Sequence, residues 1–425
     1  MDTKIYETYL DILKEELVPA MGCTEPIAVA YAGALSRQVL GERPDEIKLV
    51  VSRNIIKNVK SVIVPHTKGR KGLKTALCAG ICYGKADSEL EVLSCAKDEE
   101  IDQLDEYLEK VSLSIEEATS SYPFDIDVYV KKDEEKAQVR IVNDHTNVVL
   151  IKKNDDIKLK KEITDAPIQI NENRKLLSVE KIFEFANEVK IEDVEQVIQR
   201  QIDYNTAIVK AGLIGKYGAK IGKILLNSYG NTVHTRAKAW AAAGSDARMN
   251  GCELPVVINS GSGNQGITTS IPVIVYAEEL GVSKEQLYRA LVLANLVTIH
   301  IKTGIGALSA YCGATSAGAG AGAGICFLYG GSYSDIAHTI VNILAINSGV
   351  ICDGAKASCA AKIASAVEAG LLGMQMNKHD SQFYNGDGIV VKGVENNIKA
   401  VCELARNGMR ETDNEIIDMM TKKNK

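Results

Sequence analysis

Three cysteines, Cys312, Cys352 and Cys359, stand beside small or flexible residues in YCGAT and ICDGAKASC. Thiolates set among Gly, Ala and Ser can approach a bulky inorganic centre closely and receive backbone N–H bonds, as iron–sulfur ligands need. The stretch Lys302–Cys359 contains all three, and it carries no charged side chain between Lys302 and Asp335. It reads as a segment that builds and shelters an iron–sulfur cluster, to which the rest of the chain brings a substrate. Spacing alone is a weak metal signal, because 39 and six residues intervene, whereas compact sites show CxxC. Zinc is an alternative, yet no His lies at helical spacing from these cysteines except the remote His338. Cys78, Cys82, Cys252, Cys326 and Cys402 read as buried small apolar residues.

Other residues could bring and process the substrate. Cys23, in MGCTEPIAVAYAGALSRQVLG, falls at the start of an expected helix with Thr24 as N-cap and Pro26 in the first turn. A helix N-terminus there would lower the thiol pKa; the alternative is a structural cysteine. INSGSGNQGITTSIPV places Ser260, Ser262, Asn264 and Gln265 in a small polar loop before an apolar helix. Its successive amides would form an anion nest suited to a carboxylate or phosphate. It is neither GxGxxG after a strand nor a Walker motif, so nucleotide binding has little support. Arg248, in AAAGSDARMNGCELP, could hold a carboxylate bidentately or pair with Asp246. His66, followed by Thr67, Lys68, Gly69, Arg70 and Lys71, could likewise receive a carboxylate or belong to a plain basic loop. Lys302 could serve as a base or form a structural salt bridge.

Composition narrows the function. At 425 residues, with 46% apolar and 24% charged residues, the chain has the balance of a globular protein of two or three domains. A formal net charge of -6 and a single Trp argue against a nucleic-acid partner. Small-molecule chemistry is left by elimination. The N-terminal MDTKIYETYLDILKEELVPA lacks the basic and apolar regions of a signal peptide. Ten cysteines therefore read as reduced thiols or metal ligands, and the expected location is cytoplasmic. The uncharged run 303–334 is rich in Gly and Ala rather than Leu and Phe, which predicts a buried helix instead of a membrane span.

These residues need elements to position them. Helical spacing appears over 3–20 and again, with Gly-rich breaks, from 178 to about 408. Between them IKLVVS, SVIVP, ELEVLSC, FDIDVYVKK, AQVRIVN and NVVLIKKN read as strands. Segments 66–84 and 99–114 read as helices or loops leading into helices. The expected fold class is α+β. A mostly all-α catalytic domain (1–45 and 175–425) would carry a smaller inserted α+β domain (46–174).

Taken together, GCTEP, NSGSGNQG, SAYCGATSAGAGAG and ICDGAKASC resemble the L-cysteine desulfidases, relatives of the alpha chain of the iron–sulfur L-serine dehydratases. The likeness covers nearly the whole chain. It implies a [4Fe–4S] enzyme without pyridoxal phosphate that converts L-cysteine and water to hydrogen sulfide, pyruvate and ammonia. It implies a homo-oligomer, with Cys312, Cys352 and Cys359 as cluster cysteines and Cys23 as the family's further N-terminal cysteine. Cys23 would then cap the open iron or take the α-proton. In the serine dehydratase branch the last two ligands are more widely spaced around a CDPVGG-like run, and a cysteine tail ends the chain. Here the run is CDGAKASC and the end is MMTKKNK, which favours the desulfidase branch. Rival readings are an iron–sulfur L-serine dehydratase, a pyridoxal-phosphate β-eliminase and a non-enzymic membrane or binding protein.

Overall fold

The computed structural model describes residues 1–163, 172–306 and 308–421. The chain opens with α1 (Thr3–Glu16), β1 (Pro19–Met21), α2 (Thr24–Leu40), β2 (Glu46–Val51), α3 (Arg53–Val59), α4 (Gly72–Tyr83) and α5 (Asp98–Lys110). Strands β3 (Ser112–Glu117), β4 (Asp125–Lys132), β5 (Glu135–Val142), β6 (Val148–Lys153) and β7 (Asp156–Lys160) follow. Then come α6 (Val179–Glu188), α7 (Ile191–Ile214), α8 (Ile221–Tyr229), α9 (Val233–Met249), β8 (Pro255–Val257) and α10 (Gly263–Leu280). The chain continues through α11 (Lys284–Ile305), α12 (Gly313–Leu328), α13 (Tyr333–Ile346), α14 (Cys359–Lys378), α15 (Val394–Glu403) and α16 (Arg410–Thr421). The fold is α+β and dominated by helices.

Strands β2 to β7 form one mixed sheet in the order β3-β2-β4-β5-β6-β7, in which only β2 and β3 run parallel. Alternation decides its buried face: Ile47, Leu49 and Val51 of β2 point inward with Ile126, Val128 and Val130 of β4, as a period of two requires. Helix α2 covers that face, packing on α4, β4 and β5. Residues 1–45, expected to join the helical body as one piece, therefore divide. Helix α1 packs on α7 and α11, while α2 lies on the sheet and crosses α4, where small residues on both helices permit a close approach. A Cβ on Gly80 of α4 would overlap the Ala30 carbonyl of α2, and one on Gly33 of α2 would overlap that of Leu77.

Two segments expected as strands are not strands. SVIVP (61–65) is a loop with one bridge, Ile63 to Lys71. ELEVLSC (89–95) runs through 3-10 and turn conformation with Glu89 at φ 43°. Val62 and Val64 in the one, and Leu90, Val92 and Leu93 in the other, are buried, which a short apolar run achieves without a ladder. Conversely, 112–114, the end of the segment 99–114 read as helix or loop, belong to β3.

Helix α12 is the apolar run of the sequence, and it lies at the centre of the helical body. It packs against α10, α11, α13 and α14, and its residues from Ala314 to Cys326 are buried. Among the described residues no helix is long and apolar enough to cross a membrane.

Candidate active site

Short pairings of extended backbone bring distant sequence together. Strand β1 pairs antiparallel with β8, Pro19 opposite Val257 and Met21 opposite Pro255. This sets GCTEP beside the turn that begins α10. Likewise Tyr311 bridges Ile351, with the Cys312 amide donating to the Val350 carbonyl at 3.0 Å and that of Cys352 to Ala310 at 2.6 Å. Cys312 and Cys352 thereby become neighbours despite the 39 residues between them.

Four helices begin at one cavity. Cys23 is the N-cap of α2, Ser262 of α10 and Cys312 of α12, while Cys359 is the first residue of α14. All four line the cavity, together with Cys352, Arg248, Asn264, Gln265 and Lys302. Each N-terminus contributes partial positive charge and first-turn amides without an intrahelical acceptor. Lys57, Lys302 and Lys362 add formal charge at the wall. These helix N-termini and cations favour an anionic guest on their side of the cavity.

The thiols respond differently to this setting. Cys312 donates to the sulfur of Cys352, which pulls Cys352 below the ordinary thiol range and pushes Cys312 above it. Lys57, the Gly354 amide and Lys356 add to the lowering at Cys352, against its burial. Burial raises Cys359. Cys23 departs from the expectation of a lowered pKa: burial pushes its thiol well up, and the Glu25 carboxylate adds to this, outweighing Arg248. Its Sγ donates to Glu25 Oε2 at 3.0 Å. Thr24, expected as the N-cap, is instead the first helical residue, and its hydroxyl donates to the Gly261 carbonyl at 2.9 Å.

The residues present fit an iron–sulfur cluster. Three thiols face one cavity edged by cations and helix N-termini. Among the described residues no three His, Cys, Asp or Glu side chains close on a point as a single ion would need. A cluster binds its cysteines through different irons, so its ligands stand further apart than those of one zinc ion. The donor set, all sulfur, suits iron–sulfur chemistry as well.

The polar loop makes a tighter turn than a full nest. Asn259 and Ser262 exchange backbone hydrogen bonds of 3.1 Å, with Ser260 and Gly261 between them at φ 50° and 73°. Asn259 is anchored from beneath, donating to Asn295 Oδ1 at 2.9 Å. The Ser262 amide is thus already bonded, and the first turn of α10 is what remains to meet an anion. Ser260 hydrogen-bonds Asn259 at 2.8 Å and does not line the cavity, whereas Ser262, Asn264 and Gln265 do. Asn264 Oδ1 and Gln265 Oε1 are buried without a hydrogen-bond partner.

Arg248 is 2% exposed, and its Nε and Nη2 have no hydrogen-bond partner. It forms no ion pair with Asp246 among the described residues, which removes one of its two expected roles. His66 lies outside the cavity lining, with its Nδ1 3.4 Å from Glu253. Lys302 is buried at the cavity wall, and its ammonium donates to the Gly306 carbonyl. Burial lowers it to about 8.

Sequence reasoning gave Glu25 only a helix-start role and passed over Lys57, Asn58 and Tyr311, all of which line the cavity. Lys57 is 2% exposed and pairs with Asp413 of α16 at 2.5 Å. Nothing in the local sequence announces a partner 356 residues away. For Glu25, proximity to Cys23 in GCTEP was the available signal.

Asp246 gives a stability prediction. It is 1% exposed, accepts the Gly222 amide at 3.2 Å, and burial raises its carboxyl to about 6. The folded state therefore holds a proton that the unfolded chain releases near pH 4. Stability falls as pH rises through this window, and the penalty is complete above about pH 6. Asp246→Asn removes it, so thermal unfolding at pH 8 should show a gain on the order of 2 kcal/mol over the parent. The gain should fade towards pH 4; a gain independent of pH would contradict this account.

The profile of the serine dehydratase alpha chain matches residues 87–418. The chain is 56% identical over 417 residues to a UPF0597 protein of Desulfitobacterium hafniense, covering 98% of this chain and 97% of that one. It is 49% identical over 416 residues to a UPF0597 protein of Lachnoclostridium phytofermentans, covering 98% and 100%. A UPF0597 protein of Finegoldia magna is 47% identical over 423 residues, with coverage of 98% and 100%. With the converging thiols and the cavity beside them, these likenesses lead to one conclusion: the chain belongs to the serine dehydratase alpha-chain family, a family of iron–sulfur lyases.

Proposed function

We propose that this chain is a carbon–sulfur lyase, an L-cysteine desulfidase that eliminates hydrogen sulfide from L-cysteine and yields pyruvate and ammonia. The observation that carries the reading is the convergence of Cys312, Cys352 and Cys359 on the cavity that Arg248 and the α10 N-terminus also line. These three cysteines hold a [4Fe–4S] cluster. When bound, the cluster supplies a thiophilic Lewis acid for the departing sulfur.

The chain's own residues do the rest. Arg248 and the first turn of α10, with Ser262, Asn264 and Gln265, receive the α-carboxylate. Lys302, lowered by burial, takes the α-proton, since an amine near neutrality in pKa is an efficient base. Cys23, raised by burial and hydrogen-bonded to Glu25, holds a proton at the cavity wall, where it can be given to the departing sulfur. The aminoacrylate released tautomerises and hydrolyses to pyruvate and ammonia. The α+β segment 46–174 is an insertion that supports this site, and the enzyme works in the cytoplasm as a homo-oligomer.

L-serine is the second reading, favoured by the match to the serine dehydratase alpha chain. Ser and Cys differ at one atom, so the test is a direct competition. Anaerobically purified protein is assayed for pyruvate from each amino acid and for sulfide from L-cysteine. Sulfide release with kcat/KM for L-cysteine at least tenfold above L-serine is expected. Equal or greater efficiency with L-serine would move the assignment to dehydration.

A further inference from the structure

The cavity's charged groups differ in what holds them. Lys57 pairs with Asp413, and Lys362 pairs with Asp353. Lys302 donates to the Gly306 carbonyl. Arg248 and Glu25 are different: among the described residues neither forms an ion pair.

Glu25 is nonetheless held firmly. Its Oε2 accepts from Cys23 Sγ at 3.0 Å and shares the Thr24 hydroxyl, at 3.2 Å, with the Gly261 carbonyl, and its Oε1 accepts from Asn58 Nδ2 at 3.3 Å. All three donors are neutral, so they fix the carboxylate without cancelling its charge. Among the described residues that line the cavity, it is the one carboxylate. The Cys23 thiol lies within electrostatic reach of both Glu25 and Arg248. An unpaired carboxylate and an unpaired guanidinium therefore flank one thiol in one cavity.

Arg248 is buried and Glu25 half-buried, and a charge drawn out of water without a partner is costly unless a ligand supplies the opposite charge. The guest that neutralises both at once carries a carboxylate and an ammonium on neighbouring atoms. We infer that Glu25 is the receptor for the substrate's α-ammonium, opposite Arg248 for its carboxylate, and so makes the cavity selective for free α-amino acids. This rests on the amino-acid lyase reading and adds to it a residue that decides specificity. The pairing sets the Cα between the two charges, beside the Cys23 thiol, and it excludes acids that lack the amine or carry it acylated.

The test separates this inference from the choice of reaction by using ligands that do not react. L-Alanine, propionate and N-acetyl-L-alanine are titrated calorimetrically into the anaerobically purified holoenzyme and into Glu25→Gln and Glu25→Asp. The parent should bind L-alanine well above the other two. Glu25→Gln should weaken L-alanine by about 100-fold, the scale of leaving one charge of a buried pair unmatched, while propionate is unchanged within twofold. Glu25→Asp, which keeps the charge on a shorter stem, should recover part of the loss. For the amino acid that turns over, KM should rise far more than kcat falls, and iron content should stay at the parent level.

Equal weakening of L-alanine and propionate would assign Glu25 a structural role and overturn the inference, as would loss of iron in Glu25→Gln. Parent protein that binds N-acetyl-L-alanine as tightly as L-alanine would overturn it too, without any variant needing to fold. Protein that releases no sulfide or pyruvate, yet loses L-alanine binding in Glu25→Gln, would sink the lyase proposal and leave the ammonium receptor standing.

Discussion

Cys352→Ser, purified without oxygen, is expected to lose nearly all of the about four irons per chain that a [4Fe–4S] centre would contribute. Cys352 is the thiol held lowest of the three, by the Cys312 donor and by Lys57 and the Gly354 amide. A thiolate is the form that binds metal. Changes to groups one shell out from a metal cost roughly 10- to 100-fold in affinity or activity, so removing a ligand must cost more. Iron, acid-labile sulfide and the visible absorption should fall together, with turnover following. Cys95→Ser is the control, because Cys95 is exposed and lies outside the cavity lining. Iron retained in Cys352→Ser at the level of Cys95→Ser would remove Cys352 from the ligand set. The same result in Cys312→Ser and Cys359→Ser would end the cluster assignment.

Gly320→Ala should destabilise the protein by about 3 kcal/mol or more, the upper end for forcing atoms into a filled core. A Cβ at Gly320 would overlap the Thr298 hydroxyl and the Ala294 carbonyl of α11. A carbonyl is backbone and cannot swing aside as a long side chain can, so the helices themselves must separate. Close packing transmits that strain, and α12 carries Cys312 at its N-cap. Gly349→Ala is the comparison, since nothing lies within 4 Å of a Cβ built there. Urea unfolding measures both. Equal midpoints for the two variants would show that α11 and α12 can part freely.

These two sites show how differently the residues were legible. The alternating AGAGAGAG was readable as a buried helix because small, uncharged residues have no other economical place. The helix start after Pro19 was close to legible for a related reason: capping and turn residues act locally. SVIVP and ELEVLSC misled, since a short β-branched run looks the same whether it joins a ladder or fills a gap beneath a helix. The placement of α2 was also hidden, for most of its residues are buried and it gives no sign of which neighbour it chooses.

The sequence by itself determined the family motifs, the three cysteines set among small residues and the helical character of the second half. Local chemistry suffices for each of these: propensity, capping and the bulk of a side chain depend on near neighbours. Tertiary structure decided which groups face the cavity. It turned Ser260 and His66 away, left Arg248 free of Asp246, and brought in Lys57, which pairs with a residue 356 positions distant. It also raised the Cys23 thiol that a helix N-terminus alone would have lowered, because burial and the Glu25 charge outweigh a partial dipole. Pairings of three residues or fewer, β1 with β8 and Tyr311 with Ile351, gather the site, and pairings so short leave no periodicity for the sequence to display.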